Sequence, residues 1–171
     1  MKVRLMVILA AAWLAVVPAA AQGRPDQQLA DDVAVSVRNY PRFSVFDHVS
    51  GRVDEGVVVL TGKVTTPYKR EDIERRVARM DGVTEVRNEI TVLPVSSFDD
   101  DLRYRISRAI YGNPAFWTYA AMANPPIHII VEHGRVTLTG VVNSNAERMM
   151  ARSLATGFGE FSITNELRTD Q

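Results

Sequence analysis

The residues of this chain whose types fit catalysis or metal binding are its three histidines and the polar residues beside them. Asp47, His48 and Ser50 are the residue types of a hydrolytic triad, but neighbours along one strand do not converge on a single substrate atom. His128 and His133 lie five residues apart, on opposite faces of an unbroken strand, and His48 has no third metal ligand nearby in the sequence. We therefore predict that the protein is not an enzyme and holds no cofactor and no metal ion.

The composition of the 171 residues is that of an ordinary globular protein and excludes several kinds of chemistry. There is no cysteine, which excludes disulfides, thiolate metal sites, iron–sulfur clusters and a lipoprotein acyl anchor. The 20 basic residues balance the 20 acidic ones, so the whole chain has no net field that would attract nucleic acid. The basic residues between Lys69 and Arg79 alternate with acids, as in an exposed helix with ion pairs, and we predict no nucleic-acid partner.

The first 21 residues have the three-part pattern of a secretory signal. Lys2 and Arg4 precede an apolar run at residues 5–17, and Pro18 precedes three alanines at 19–21. Those thirteen apolar residues make roughly 20 Å of helix, shorter than the hydrocarbon core of about 30 Å, so a retained membrane span is the weaker interpretation. We predict a signal peptide at residues 1–21 that is cleaved after Ala21, and hence a periplasmic protein in a bacterial source.

The rest of the chain consists of one pattern that occurs twice. Residues 56–64 (GVVVLTGKV) align with residues 134–142 (GRVTLTGVV) at an offset of 78, whereas an upstream helix aligns at an offset of 73. The second copy therefore has five extra residues before its glycine turn. Pro94 marks the joint, because proline does not continue a strand ladder. We predict a first repeat at residues 27–93, a linker at 94–97 and a second repeat at 98–169.

Within each repeat the hydrophobic period changes in the same order. Leu29, Val33 and Val37 recur every four residues, the spacing of a helix that faces a core, and the second copy repeats this spacing from residue 102 to residue 110. Two β-branched runs, a second helix and a final strand follow, with Met150 and Leu154 on the buried stripe of the last helix. The predicted fold class is α+β, with two tandem α-β-β-α-β repeats, each a three-stranded mixed sheet with two helices packed on one face.

Four glycines are predicted to be structural. Gly56 and Gly134 lie in the two hairpin turns, where glycine supplies the positive φ that a tight turn needs. Gly62 and Gly140 share a strand face with valine and leucine residues that we expect to face the helices. We expect a helix to approach the sheet closely at these two positions, so that an alanine there would collide with it.

Two asparagines and two valines mark the faces of the predicted sheets. Asn88 and Asn165 alternate with core-facing residues, and a polar group on an inward face must find a hydrogen-bond partner, which we expect to be a neighbouring loop or a hairpin backbone. Val57 and Val59 give the first sheet an apolar outer face. We expect the second repeat to cover that face, through an intramolecular contact between the two repeats.

The doubled order resembles a known family. The sequences GVVVLTGKV at 56–64 and GRVTLTGVV at 134–142, with DGVTEVRNEI at 81–90, are similar to those of the BON domain, a family named for osmotically induced periplasmic proteins and nodulation proteins. The resemblance covers nearly all of the chain after residue 21. It implies a non-enzymatic protein of the cell envelope, with association with phospholipid membranes as the role most often proposed. The second copy departs from the pattern at residues 157–160 and in its longer helix-to-strand connection.

An uncharged aromatic stretch is the candidate contact surface. The 23 residues between Arg108 and Glu132 carry no formal charge, and the polar residues and prolines among them exclude a membrane span. Trp and Tyr have an apolar body and a polar tip, which suits the headgroup level of a bilayer or a protein interface. The candidate contact residues are Phe116, Trp117, Tyr119 and Met122, with Arg103, Arg105 and Arg108 on the neighbouring helix to hold phosphates.

Two alternatives stay open for this surface. The aromatic residues also fit a core beneath a long connection, and the arginines also fit a solvated face on which Asp101 pairs with Arg105.

The leading hypothesis is a non-enzymatic exported protein that associates with envelope phospholipids or with a membrane-seated complex. The alternative hypothesis is a periplasmic protein-interaction or stress-protective module, of the osmotic-shock type, with no direct lipid binding.

Overall fold

The computed structural model describes residues 25–170 and confirms two tandem repeats with the order helix, strand, strand, helix, strand. The first repeat comprises α1 (Asp26–Arg38), β1 (His48–Asp54), β2 (Val57–Val64), α2 (Pro67–Val77) and β3 (Glu85–Val92). The second comprises α3 (Ser97–Tyr111), a 3-10 turn at Pro114–Phe116, α4 (Trp117–Ala120), β4 (Ile127–Glu132), β5 (Arg135–Val142), α5 (Asn145–Leu154) and β6 (Ser162–Thr169). The predicted signal peptide lies outside the described residues.

Each repeat has its own three-stranded mixed sheet, with the middle strand of the sequence also in the middle of the sheet. In the first sheet β1 pairs antiparallel with β2, and β2 pairs parallel with β3. The second sheet repeats this arrangement with β4, β5 and β6. The parallel pair requires a crossover, which α2 and α5 supply.

The two cores are built from the periodic residues that the sequence indicates. Leu29 and Val33 of α1 are fully buried against Val58 and Leu60 of β2. The second core repeats this packing with α3, β4 and β5 and adds Phe116 from the connection that follows α3. Burial of each such side chain contributes about 1.5–3 kcal/mol, so each repeat has a hydrophobic core of its own.

The two hairpin turns have the same conformation. Glu55 and Gly56 have φ values of 49° and 80°, and His133 and Gly134 have φ values of 51° and 71°. Two successive residues with positive φ form the two-residue turn that matches the twist of antiparallel strands, and glycine adopts the second position at no steric cost. Each repeat therefore needs its turn glycine.

Gly62 and Gly140 are required for a reason that differs from the prediction. Their φ values are 128° and 123°, and a Cβ on Gly62 would lie 2.1 Å from the carbonyl oxygen of His48. A Cβ on Gly140 would lie 1.9 Å from the carbonyl oxygen of Pro126. The expectation that a helix crowds these glycines is wrong, because the obstacle is the backbone at the start of the adjacent strand.

Asn88 and Asn165 connect the edge strand of each sheet to the crossover helix. Asn165 donates from Nδ2 to the carbonyl of Arg148 at 2.8 Å, and its Oδ1 accepts from the backbone N–H of Leu167. Asn88 donates in the same way to the carbonyl of Arg70 at 3.2 Å. Their partners are therefore helix carbonyls and their own strand, rather than a loop or a hairpin.

The repeats meet through the connection between α1 and β1, residues 39–47. The backbone N–H of Ile129, on the outer edge of β4, donates to the carbonyl of Val45 at 2.7 Å. Phe46 packs against the second core, with its ring 5.3 Å from that of Tyr104, and Lys63 forms an ion pair with Glu132. This connection covers an edge strand that would otherwise be free to pair with another chain.

The prediction that the second repeat covers the sheet face with Val57 and Val59 is wrong, because the second repeat contacts another part of the sheet. Val59 lines an open groove of about 470 Å³ together with Arg52, Thr61 and Arg87 of the same sheet. Long charged side chains of Arg52, Arg87 and Glu89 line this groove beside Val59, and their apolar stems cover part of such a surface. The contact between the repeats involves a different part of the first sheet, near His48 and Lys63.

Candidate contact surface

The stretch from Phe116 to Met122 divides into a buried face and an exposed face. Asn113 accepts the backbone N–H of Ala115 through its side chain and so starts the turn that directs the chain back over α3. Phe116 is fully buried and Tyr119 is 5% exposed, with ring centroids 5.9 Å apart. The core interpretation therefore holds for these two residues, and neither presents its ring to a partner.

Tyr119 is also held by polar contacts. Its hydroxyl donates to Glu147 Oε2 at 2.6 Å and accepts the backbone N–H of Asn143 at 3.0 Å. Burial, followed by the hydrogen bond to Glu147, raises the pKa of Tyr119. Both contacts join the connection after α3 to the start of α5, so Tyr119 is a structural residue.

Trp117 and Met122 form the exposed face. Trp117 is 62% exposed and Met122 is 45% exposed. Every residue from 117 to 124 is exposed apart from Tyr119, and none of them carries a charge. A charge-free surface with one large aromatic residue transfers into an interface or a headgroup layer without the cost of desolvating a charge.

The three arginines of α3 have different environments. Arg103 is 3% exposed, donates to the carbonyl of Val131 and forms an ion pair with Asp100, so it is a structural residue. Arg105 forms an ion pair with Asp101 at 3.0 Å, and its guanidinium lies 5.2 Å from the ring centroid of Phe158. Arg108 is exposed in the last turn of α3. Of the expected cluster of three phosphate-binding arginines, Arg108 alone is exposed without an ion pair among the described residues.

The comparisons with known proteins bear on this architecture. The family model described as "BON domain" matches residues 25–94 and again residues 99–170. The chain belongs to the BON domain family. Membership of this family indicates a protein of the cell envelope.

Two further comparisons were with solved structures and with curated proteins. Two solved structures of CdsD, described as a structural protein of the Type III secretion system of Chlamydia trachomatis, match 85% of this chain. One has 14% identity, a TM-score of 0.35 and 67% of its own chain covered, and the other has 15%, 0.34 and 65%. The sequence comparison with curated proteins finds no match.

Metal clusters and membrane-spanning helices are both absent from the described residues of the BON repeats. Between residues 25 and 170 no three side chains of the metal-ligating types cluster, and no helix there is long and apolar enough to cross a bilayer. His48 and His128 lie at the contact between the repeats, with ring centroids 5.9 Å apart. Burial lowers the pKa of both histidines.

A pair of aspartates that the sequence analysis missed supports both BON repeats. Asp26 in the first turn of α1 accepts the backbone N–H groups of Glu55 and Gly56. Asp99 in the first turn of α3 accepts those of His133 and Gly134, at 2.8 and 2.7 Å. They lie 73 residues apart, which equals the offset between the first helices of the two repeats. This offset is the sequence signal that marks the two aspartates as equivalent.

A second polar cluster differs in chemistry between the BON repeats. Asp47 is fully buried and accepts hydrogen bonds from the Lys69 ammonium at 2.6 Å and from the backbone N–H of Thr65 at 2.8 Å. In the second repeat Glu147 and Asn143 stand at the positions of Lys69 and Thr65, offset by 78, and Tyr119 takes the place of the aspartate as their partner. The same junction is made with a charged pair in one repeat and a tyrosine in the other, and an alignment of one sequence with itself does not reveal this.

Proposed function

We propose that the protein is a non-enzymatic, exported protein of the cell envelope that associates with phospholipid membranes, or with a complex seated in one, through its second BON repeat. The observation that carries the proposal is the exposed charge-free segment 117–124, which presents Trp117 and Met122. Membership of the BON family supports the envelope location. The predicted signal peptide is consistent with a periplasmic destination.

The chemistry of the segment favours shallow insertion. Trp117 has the amphipathic ring that is enriched at membrane–water interfaces. Arg108 is exposed at the adjacent end of α3, where it can approach a headgroup phosphate. We expect weak, reversible binding, because binding strength scales with buried apolar area and one aromatic and one thioether side chain bury little.

Flotation with vesicles of anionic phospholipid tests the proposal. The variant Trp117→Ala/Met122→Ala removes both exposed side chains and leaves Tyr119 with its hydrogen bonds. We expect it to float several-fold less than the parent while its far-UV dichroism stays the same. The matched control is Val35→Ala/Tyr68→Ala, which removes two side chains of the first repeat that are 46% and 45% exposed. Equal flotation of the parent and the folded double variant at Trp117 and Met122 would contradict the proposed surface.

A second candidate function is a protein-interaction or stress-protective module without direct lipid binding. The observation that favours it is an exposed aromatic pair at the hairpin end of the second repeat, Phe98 and Phe161, whose ring centroids are 6.0 Å apart. Aromatic residues are enriched in protein interfaces. A pull-down from delipidated envelope extract distinguishes the two functions, because only the second predicts partners whose capture is lost in Phe98→Ala/Phe161→Ala and kept in Trp117→Ala/Met122→Ala.

A further inference from the structure

Helix α5 and strand β6 border an open groove of about 590 Å³ in the second repeat. Arg148, Arg152 and Ser153 of α5 line this groove, together with Asn165 of β6. Met149, also at the groove, is 67% exposed. The volume is in the range of pockets that bind small molecules and exceeds that of a single water or metal ion.

The groove is cationic and its cations are not neutralised. None of the residues that line it is acidic. Within the described part of the chain, neither Arg148 nor Arg152 forms an ion pair, and the buried Nε of Arg148 has no hydrogen-bond partner. The nearest acid in the helix, Glu147, is turned to Tyr119 and Asn143. A buried donor without a partner is costly, and an anion in the groove would form charge-assisted hydrogen bonds with the guanidinium groups that line it.

The equivalent position of the first repeat has an acid in place of the second arginine. At an offset of 78, Arg70 corresponds to Arg148 and Glu74 corresponds to Arg152. Glu74 Oε2 accepts a hydrogen bond of 2.7 Å from Asn88. The second repeat keeps the asparagine, as Asn165, but replaces the acid by an arginine. One substitution between the copies thus converts an internally satisfied junction into a site with two guanidinium groups.

We propose that the α5–β6 groove binds a phosphate group, supplied either by a phospholipid headgroup or by a phosphate in solution. Two guanidinium groups and a serine hydroxyl match the several acceptor oxygens of a phosphate, and arginine pairs with phosphate through two parallel hydrogen bonds. The groove has room for the ester substituents of a headgroup, and the exposed Met149 offers an apolar contact beside it. The choice of a phospholipid as the source rests on the proposed function, whereas the phosphate chemistry does not.

Calorimetric titration of the protein with inorganic phosphate and, separately, with dihexanoylphosphatidylglycerol below its micelle-forming concentration tests this site. The variant Arg152→Glu gives the second repeat the acid that accepts a hydrogen bond from the equivalent asparagine in the first repeat. We therefore expect this variant to fold as the parent does. Loss of a charge-assisted pair and the new repulsion should weaken binding by at least about tenfold. The control Arg79→Glu makes the same charge change at an exposed position of the first repeat and should leave binding unchanged. Arg152→Gln serves as the second variant if Arg152→Glu does not fold.

Each outcome decides the proposal. Binding of both titrants, with loss of both in Arg152→Glu, supports a phosphate site that accepts either source, and binding of the lipid alone identifies the headgroup as the ligand. Absence of binding by the parent, or equal affinity in the folded Arg152 variants, overturns it. Vesicle flotation that depends on Trp117 would still stand in that case, so failure of this site is distinguishable from failure of the proposed function.

Discussion

At the residue scale, a few buried acceptors hold turns that hydrophobic packing alone would leave unsupported. Asp99 is fully buried and accepts two backbone N–H groups of the β4–β5 turn. Backbone N–H groups in a tight turn need acceptors when they are buried, and a carboxylate in the first turn of a helix is also favoured by the helix dipole. The aspartate therefore joins the start of α3 to the far end of the hairpin.

Removal of this carboxylate should destabilise the second repeat. We expect Asp99→Ala to lower the free energy of unfolding by about 2–3 kcal/mol, because two turn donors are left without acceptors. Urea titration followed by circular dichroism measures the change. Asp101→Ala is the control on the same helix, since its exposed ion pair with Arg105 contributes less than about 1 kcal/mol. Equal effects of the two substitutions would show that Asp99 does not support the turn.

At the element scale, the 39–47 connection acts as a clamp between the repeats. Asp47 fixes the connection from within the first repeat through Lys69 and Thr65, while Phe46 and Val45 reach the second repeat. A short segment anchored on one side thus covers the outer edge of β4.

Truncation of Phe46 should loosen this clamp without unfolding either repeat. We expect the amide of Ile129, which donates to Val45, to exchange with solvent at least about tenfold faster in Phe46→Ala, because local opening becomes easier. Hydrogen exchange followed by NMR or mass spectrometry reports this. In the control Tyr68→Ala, an exposed aromatic residue of the first repeat is removed and the Ile129 amide should keep its protection. Unchanged protection in Phe46→Ala would place the holding contacts elsewhere.

The histidines at the same contact should make stability depend on pH. Burial is the largest cause that lowers the pKa of both His48 and His128 from the ordinary value of 6.5. At His48, Glu166 raises the pKa and Arg168 lowers it further. At His128, Asp47 raises the pKa. Just below pH 6.5 the unfolded chain therefore binds more protons at these histidines than the folded chain does. Their contribution to stability is complete above that pH and is lost as the pH falls through the lowered pKa values.

Thermal unfolding measured between about pH 7.5 and about pH 5.5 checks the histidine effect. The parent should melt at progressively lower temperature toward the acid end. In His48→Gln/His128→Gln this decline should flatten, because no imidazole remains at the contact to become protonated. The same slope in both proteins would assign the pH dependence to other groups.

The elements also show what the sequence could and could not predict. The helical stripe of α1, the order of the strands and the hairpin glycines follow from periodicity, because each depends on residues close together in the chain. The last helix is different: Ala151 is fully buried and Met150 is 41% exposed, so the prediction that Met150 faces the core is wrong. The close approach of α5 to its sheet needs small residues, and hydrophobicity alone does not identify them.

The same limit applies to the contact surface. Phe116 and Tyr119 lie three residues apart, as one face of a helical turn requires, and Trp117 faces away. The sequence indicated the stretch and left core and surface open, because the choice depends on the space between α3 and α5. Arg103 looked like its neighbours in the sequence, yet a carbonyl on β4 accepts its hydrogen bond.

At the scale of the whole molecule, duplication gave one framework and two different surfaces. The turn aspartates, the edge asparagines and the strand glycines occupy equivalent positions in both repeats. The exposed charge-free segment and the two unneutralised arginines of the α5–β6 groove belong to the second repeat. Under the proposed function, the first repeat supports the second by clamping β4, and the second repeat carries the binding surface.

The emission spectrum of Trp117 tests this assignment most directly. The chain has two tryptophans, at positions 13 and 117, so the protein from residue 22 onward reports on Trp117 alone. On addition of anionic phospholipid vesicles we expect its emission to shift to shorter wavelength and its quenching by acrylamide to fall, since the exposed indole enters the interface. An unchanged spectrum and unchanged quenching at saturating vesicle concentration would contradict membrane association through this surface.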